Sequence, residues 1–173
     1  MQDHITIRKA SLDDIPDIQA LADVVFRSTY KNILSPEQMD YMMEWMYSTE
    51  SLQKQINPPE KVFLLAEYDG SFCGYASYEF ETCLDDGRKQ FHLQKLYVLP
   101  ACQGRGVGKA LLGKVIEILS ELSPEGFRME LNVNRNNAAT GFYEHLGLYR
   151  DRQGDFPIGK GFYMNDYIYA LDV

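Results

Sequence analysis

The chain has 173 residues, 45% hydrophobic and 24% charged, with a formal net charge of −8. That length fits one domain with a substantial core, and the composition is that of a folded globular protein rather than a disordered or fibrous one. The acidic balance argues against nucleic-acid partners, because nonspecific binding needs a basic surface to displace counterions from phosphates. It suits a cationic small partner, although an acidic surface is commonly a plain solubility device.

Cys73, Cys83 and Cys102 lack a CxxC spacing and cannot all pair. The opening Met-Gln-Asp-His runs into an alternating pattern without a basic and apolar leader, and no run of about eighteen apolar residues is available to span a membrane. The expectation is a reduced, cytoplasmic setting with no membrane partner.

Ile5 and Ile7 alternate with polar neighbours, predicting a first strand over 3–9. Ser11 followed by Asp14 reads as a capping box, and Ile15, Ile18, Leu21, Ala22 and Val25 continue at helical spacing to about Phe26. Ser35-Pro36-Glu37 starts a second, methionine-rich helix over 36–46, and a third short helix runs from Thr49 to before Asn57-Pro58-Pro59. Strands follow at Val62–Tyr68 and Phe72–Phe80, flanking the hairpin signal Asp69-Gly70. A further strand, Phe91–Leu99, stops at Pro100 and leads through glycines into an amphipathic helix, Lys109–Leu122. Phe127–Val133 reads as a strand, Ala138–Leu146 as a helix, Leu148–Arg152 as the start of a strand and Phe162–Leu171 as the last one. These elements predict a single α/β domain over 1–173, its strands mostly in antiparallel runs.

The informative segment is Leu96-Tyr97-Val98 through Gln103-Gly104-Arg105-Gly106-Val107-Gly108-Lys109: a strand, a loop with alternating glycines, then a helix. Glycine lets a ligand approach backbone N–H groups closely. A helix N-terminus carries partial positive charge and binds phosphates, with Arg105 and Lys109 adding charge at the rim. The Walker pattern fails, since Gln103 stands at its first glycine and Ala110 at its hydroxyl. The dinucleotide fingerprint fails because Lys109 stands at its third glycine.

What fits is Gln-x-x-Gly-x-Gly, met by Gln103, Gly106 and Gly108, and here the chain resembles the GNAT family of N-acetyltransferases. A second segment, Asn136 to Leu148, looks like that family's other motif, with Asn136, Ala139 and Tyr143 at its positions. Read as helix, Asn136 and Tyr143 are about two turns apart and face the same way. The resemblance implies a GNAT fold: a mixed, mostly antiparallel central sheet of six to seven strands flanked by helices. It also implies acetyl-CoA as co-substrate and no metal, since the thioester is already activated.

By the same resemblance, backbone groups of Leu96, Tyr97 and Val98 pair with the pantetheine arm like an added strand. A backbone N–H there polarises the thioester carbonyl. Tyr143 is the expected proton donor to the leaving thiolate, its phenol being neutral at pH 7. Many relatives carry a Glu three residues ahead of the position of Lys95; here that position is His92, which could serve as base. Glu79 and Glu81, two residues apart on one strand face, are alternatives that could also bind a cationic acceptor.

Tyr30, Tyr41, Trp45, Tyr47, Tyr75, Tyr78 and Phe80 belong to the acceptor half of the chain, as cation–π surfaces or as plain core. The layout looks most like bacterial polyamine-type acetyltransferases, through Phe26-x-x-Thr29-Tyr30, Leu-Gln-Lys-Leu-Tyr-Val at 93–98 and Phe-Tyr-Met-x-Asp at 162–166. The expected acceptor is a small-molecule or peptide amine, and the exposed ends of the last strands offer a homodimer contact. Alternatives are a non-catalytic acyl-CoA-binding or sensing module and a peptide or protein N-terminal acetyltransferase.

Overall fold

The computed structural model describes residues 4–58 and 60–173. Asp3, where the first strand is expected to begin, and Pro59, in the stop after the third helix, lie outside them. Strand β1 is Ile5–Lys9. A 3₁₀ turn, Leu12–Asp14, follows with the expected capping box: the Asp14 carboxylate accepts from the Ser11 backbone N–H at 2.8 Å. Helix α1 is Ile15–Tyr30, one turn longer than the apolar spacing to Phe26 predicts, because Arg27-Ser28-Thr29 interrupts the apolar pattern without breaking the helix and Tyr30 is buried at its end. Helix α2 is Pro36–Tyr47, its Ser35 hydroxyl accepting from the Gln38 N–H at 3.1 Å, and α3 is Thr49–Ile56.

Strands β2, Lys61–Tyr68, and β3, Ser71–Cys83, form the expected hairpin through Asp69 and Gly70, which take φ of 50° and 85°. β4 is Lys89–Val98, α4 is Val107–Leu122, β5 is Phe127–Asn134 and α5 is Ala139–His145. β6, Tyr149–Gly159, runs much further than its apolar start suggests, and pairs with β7, Phe162–Asp172. Its residues are mostly exposed because it is an edge strand, so burial leaves no apolar alternation to read.

The seven strands lie in the order β1-β2-β3-β4-β5-β7-β6. Every neighbouring pair is antiparallel except β4 and β5, which the α4 crossover makes parallel. One face is covered by α4 and α5, over a core that includes Leu111, Val115, Leu119, Phe127 and Met129. The other is covered by α1 to α3, whose stripe of Ile15, Ile18, Leu21, Ala22, Val25 and Phe26 packs on Phe63, Leu65 and Tyr75. Fully burying a side chain such as Ile18 or Phe26 contributes about 1.5–3 kcal/mol, so propensity matters less to α1 than this face.

Two departures from a regular sheet create the site. In the β3–β4 ladder Ser77 pairs with Lys95 but Tyr78 with Leu93, which leaves Gln94 as a bulge. An extra residue reverses the alternation of side chains. Phe91 and Leu93 therefore enter the core under α4, whereas Lys95 and Tyr97 turn toward the α1 face. The β4–β5 ladder ends at Leu93 and Leu131; beyond it β4 continues against β3 alone and β5 against β7 alone. The centre of the sheet thus opens into a V. No helix among the described residues is long and apolar enough to cross a membrane.

Candidate active site

The donor side starts from this opening. From Gln94 to Val98, the β4 edge facing away from β3 carries backbone groups with no strand partner. Leu96, Tyr97 and Val98 pair with Ala76, Tyr75 and Gly74 on the other side. A free edge beside an opening is where an extended amide-bearing chain adds as a strand.

Directly beyond, Gly104 and Gly106 take φ of 80° and 82°, and Gly106 is the N-cap of α4, which has no side-chain cap. The first N–H groups of α4 therefore have no side-chain acceptor among the described residues, and alternating left-handed residues turn neighbouring N–H groups into one concavity. Gly108 has another reason to be glycine: a Cβ there would lie 3.3 Å from the Phe142 ring and 3.7 Å from Val98 Cγ2. It lets α4 pack closely against α5 and the end of β4. The Gln103 side chain donates to the Val98 carbonyl at 3.3 Å, tying the loop back to the strand.

A cleft of about 700 Å³ lies on the outer side of the loop, lined by Tyr68, Arg105, Gly106, Lys109 and Lys114 among others. Arg105 stands over the Tyr68 ring at 4.9 Å, and neither Arg105 nor Lys109 is ion-paired with another described residue. On a chain of net charge −8, this concentration of free cations at the glycine loop matches an anionic ligand.

Tyr143, from α5, is 7% exposed, and its hydroxyl forms no hydrogen bond with another described residue. Burial pushes the phenol well above its ordinary value, and Tyr30 adds to the rise. Tyr143 belongs to the α4–α5 core and Tyr30 to the α1 core. Asn136 departs from the expected geometry. It is exposed in the turn ahead of α5, so no two-turn helical relation to Tyr143 exists. The turn is built by its neighbours: Asn134 Oδ1 accepts from the Asn136 N–H, and Asn137 Oδ1 from the Ala139 N–H, each at 2.9 Å.

On the α1 face, the Tyr30 and Tyr97 hydroxyls pair at 3.2 Å, and those of Tyr47 and Tyr75 at 2.6 Å. Burial raises all four phenols, so all are neutral hydrogen-bonding groups near pH 7. The aromatic residues of this half thus serve mainly as core, while Trp45 is half exposed on α2. Lys95 is 7% exposed and donates to Gln55 Oε1 at 2.6 Å; burial lowers its ammonium to about 8. The β6–β7 hairpin closes over α2, where the Tyr41 hydroxyl donates to the Ile158 carbonyl at 2.6 Å and Gln38 Nε2 to the Tyr163 carbonyl at 2.9 Å.

The sequence-predicted bases are all on this face. His92 pairs across the ladder with Glu79 and lies one step before the opening. Its Nδ1 is 3.4 Å from Glu81 Oε1, an ion-pair distance without hydrogen-bond geometry. The Glu79 carboxylate is already engaged, by Lys61 at 3.2 Å and by the Gln94 amide at 2.6 Å.

Donor atoms of Glu81, His92 and Glu130 lie within 4.8 Å of one another, as metal ligands do. Glu130, however, takes Arg152 at 2.9 Å and Arg128 at 3.0 Å. Burial opposes its ionisation, but these two guanidinium groups hold its carboxyl below the usual range. Arginine therefore supplies the positive charge there. Asp166, from β7, is 3% exposed and accepts from Asn132 Nδ2 at 3.2 Å through Oδ2. The only sequence signal for it is its place in Phe-Tyr-Met-x-Asp; neither it nor Tyr30 is distinguishable there from an edge-strand or core residue.

A free strand edge, an uncapped helix start with unpaired cations beside it and a buried phenol are features that suit a transferase of a phosphate-bearing acyl donor. The chain belongs to the acetyltransferase (GNAT) family, whose sequence pattern matches residues 26–148, more than half its length. It is accordingly an acetyl-CoA-dependent N-acetyltransferase. It is 26% identical over 163 residues to an uncharacterized N-acetyltransferase of Mycobacterium tuberculosis, covering 94% of this chain and 99% of that one. To an uncharacterized N-acetyltransferase of Bacillus subtilis it is 29% identical over 155 residues, covering 89% and 86%. Its fold matches that of the PaiA N-acetyltransferase of Thermoplasma acidophilum, solved with coenzyme A, at a TM-score of 0.82 and 24% identity, over 98% and 99% of the chains. The ribosomal-protein-S18-alanine N-acetyltransferase of Escherichia coli matches at 0.66 and 21% identity, over 98% and 94%.

Proposed function

We propose that the protein moves the acetyl group of acetyl-CoA onto a primary amine by direct attack, without a covalent enzyme intermediate. Three observations support this reading together: β4 has a free edge beyond Leu93, α4 starts at a glycine with no side-chain cap, and the Tyr143 phenol is buried without a hydrogen-bond partner among the described residues. The residues fit the donor: N–H groups of 104–109 with Arg105 and Lys109 for the pyrophosphate, and the edge of Leu96, Tyr97 and Val98 for the pantetheine arm. Acetyl-CoA supplies an activated carbonyl and a good leaving thiolate. The chain supplies binding, an N–H of β4 toward the carbonyl oxygen, and a phenol that stays protonated and can donate to the sulfur as it leaves. Of the candidate proton acceptors, Glu79 is held by Lys61 and the Gln94 amide, whereas His92 stands beside the Glu81 carboxylate.

For the acceptor, the narrower reading is a polyamine or other small alkylamine, supported by the net charge of −8 and the layout of 26–30, 93–98 and 162–166. Peptide N-termini are the second reading. A specific likeness favours it: the fold is shared with the E. coli enzyme and with Arabidopsis thaliana Naa50, the latter solved with a bisubstrate analogue, CoA-Ac-MVNAL.

Calorimetry with coenzyme A, and thiol release from acetyl-CoA over spermine, spermidine, simple alkylamines and peptide amines, test both levels. Micromolar coenzyme A binding and turnover on alkylamines are expected. Turnover confined to peptide N-termini removes the polyamine reading, and absence of coenzyme A binding removes the whole proposal.

A further inference from the structure

Asp166 presents a problem of charge. It is 3% exposed, and Oδ1 has no hydrogen-bond partner among the described residues. No described cation pairs with it either, since Arg135 is committed to Asp155 and to the Gly154 carbonyl. A buried carboxylate left half unpaired is costly, and such a group calls for a partner of its own: a catalytic contact, a water or an ion.

Its position is informative. Asp166 pairs across the ladder with Asn134, the last residue of β5, on the V-shaped opening's far side from β4. Along β7 it shares the parity of Met164, which packs in the α1 core, so its side chain faces α1 and not α4. Asn132 on β5 bonds to it, and the charged or titratable groups near enough to feel its charge are Tyr30 on α1, His92 on β4 and Arg135 in the turn before α5. The Tyr30 hydroxyl is bonded to that of Tyr97. The buried, unpaired carboxylate oxygen thus lies on the α1 side of the sheet, on the strand next to the end of β5 that borders the opening, and on the face that also carries the Tyr30–Tyr97 hydroxyl pair.

We propose that Asp166 is the catalytic carboxylate that meets the acceptor's ammonium group at this opening and takes its proton, so that the amine enters in its charged form. The inference rests on the acetyl-transfer reading above and names the missing proton acceptor in it. One proton passes from nitrogen to Asp166 Oδ1, from which it returns to solvent after product leaves, and the N–H electron pair stays on nitrogen as the attacking lone pair; the second proton, shed by nitrogen as the C–S bond breaks, replaces the one the Tyr143 phenol gives to sulfur. The phenol oxygens of Tyr30 and Tyr97 accept remaining N–H groups of the ammonium. Burial lifts the Asp166 carboxyl above the usual aspartate range, which makes it a stronger base than an exposed carboxylate.

The test compares wild type with Asp166→Asn, whose amide oxygen still accepts from Asn132. With the most active amine of the panel, kcat/KM at pH 7 is expected to fall about 100- to 1000-fold. The deficit should shrink to below about tenfold at pH 10, where a simple amine is largely neutral without help. A merely structural role gives a pH-independent deficit, and that result overturns the proposal. A binding arm does not depend on turnover: butylamine and butanol are titrated by NMR into each protein saturated with coenzyme A. Asp166→Asn should lose at least about tenfold affinity for butylamine and none for butanol; equal butylamine affinity overturns the proposal. Should the variant not fold, a crystal structure of the wild type with coenzyme A and butylamine decides. Nitrogen within about 3.2 Å of Oδ1 supports the proposal, and nitrogen beyond hydrogen-bond reach overturns it. Wild type that binds coenzyme A yet acetylates no amine sinks the transfer reading instead, leaving the binding arm to judge Asp166.

Discussion

Replacing Tyr143 by Phe isolates chemistry from structure unusually well in this protein. The hydroxyl bonds to no other described residue, so its removal orphans no partner. The ring contacts, 6.3 Å to Tyr169 and 5.3 Å to Phe142 between centroids, survive in phenylalanine. Stability should therefore change by less than about 0.5 kcal/mol, a melting shift of at most about 2 °C for a domain of this size. Coenzyme A affinity should stay within about twofold. A positioned proton donor is worth about 100- to 10,000-fold, or about 2.7–5.5 kcal/mol of barrier, so kcat should drop by at least about 100-fold. Because burial and Tyr30 raise the phenol, the wild-type rate should show no alkaline decline from this group below about pH 10. Stopped assays of thiol release over pH 6–10, with melting curves and calorimetry on both proteins, measure all of this. A variant that keeps a third of wild-type kcat would refute the assignment. A loss of stability above about 2 kcal/mol would refute the claim that the hydroxyl is structurally idle.

Three further outcomes follow from the same geometry. Gly74→Ala puts a Cβ 2.7 Å from the Tyr97 carbonyl oxygen, which is backbone and cannot rotate away; we expect a loss of about 1–3 kcal/mol by thermal unfolding together with weakened coenzyme A binding, because β4 must shift at the edge the pantetheine uses. The Arg8 guanidinium, bonded at 2.8 and 2.9 Å, holds Asp14 at about 2, below its usual range, so this pair stabilises the fold above about pH 4 and the gain is lost as pH falls toward 2. Urea midpoints over that window should show the slope in wild type and a smaller one in Asp14→Asn, about 1 kcal/mol after allowing for screening of the part-exposed Arg8. Lys95 has the opposite sign. With the folded ammonium lowered to about 8 by burial, the unfolded chain binds more protons above that pH, so stability from this group rises between about pH 8 and 10.5 and Lys95→Met should abolish that rise.

Local rules make the donor side readable in the amino-acid order alone. Alternating glycines next to an amphipathic helix have few uses other than exposing N–H groups, and the fold holds Gly104 and Gly106 at positive φ with α4 starting where those residues leave off. The capping residues Ser11 and Ser35 and the Asp69-Gly70 turn are legible for the same reason, being short-range chemistry. The acceptor side is not. His92, Glu79 and Glu81 stand out in the sequence as titratable groups on strands, yet what each can do depends on Lys61, Gln94 and Glu130, which lie on other strands or across a bulge. The spacing of Asn136 to Tyr143 suits a helix, but the side chains of Asn134 and Asn137 hold a turn there and start α5 at Ala139.

By itself the amino-acid order determined most of the strands and helices, though not how far β6 runs, and it pointed to the glycine loop and Tyr143 as candidates for the donor side. These depend on neighbours a few residues apart, whose backbone preferences and hydrogen bonds are local. Only the tertiary structure decided that one extra residue at Gln94 turns Lys95 and Tyr97 to the α1 face, that β4 and β5 part after Leu93 and Leu131, and that Asp166 is left with an unpartnered oxygen at that parting. Bulges, ladder ends and buried charge are properties of pairs far apart in the chain, and their energies exist only once the sheet is assembled.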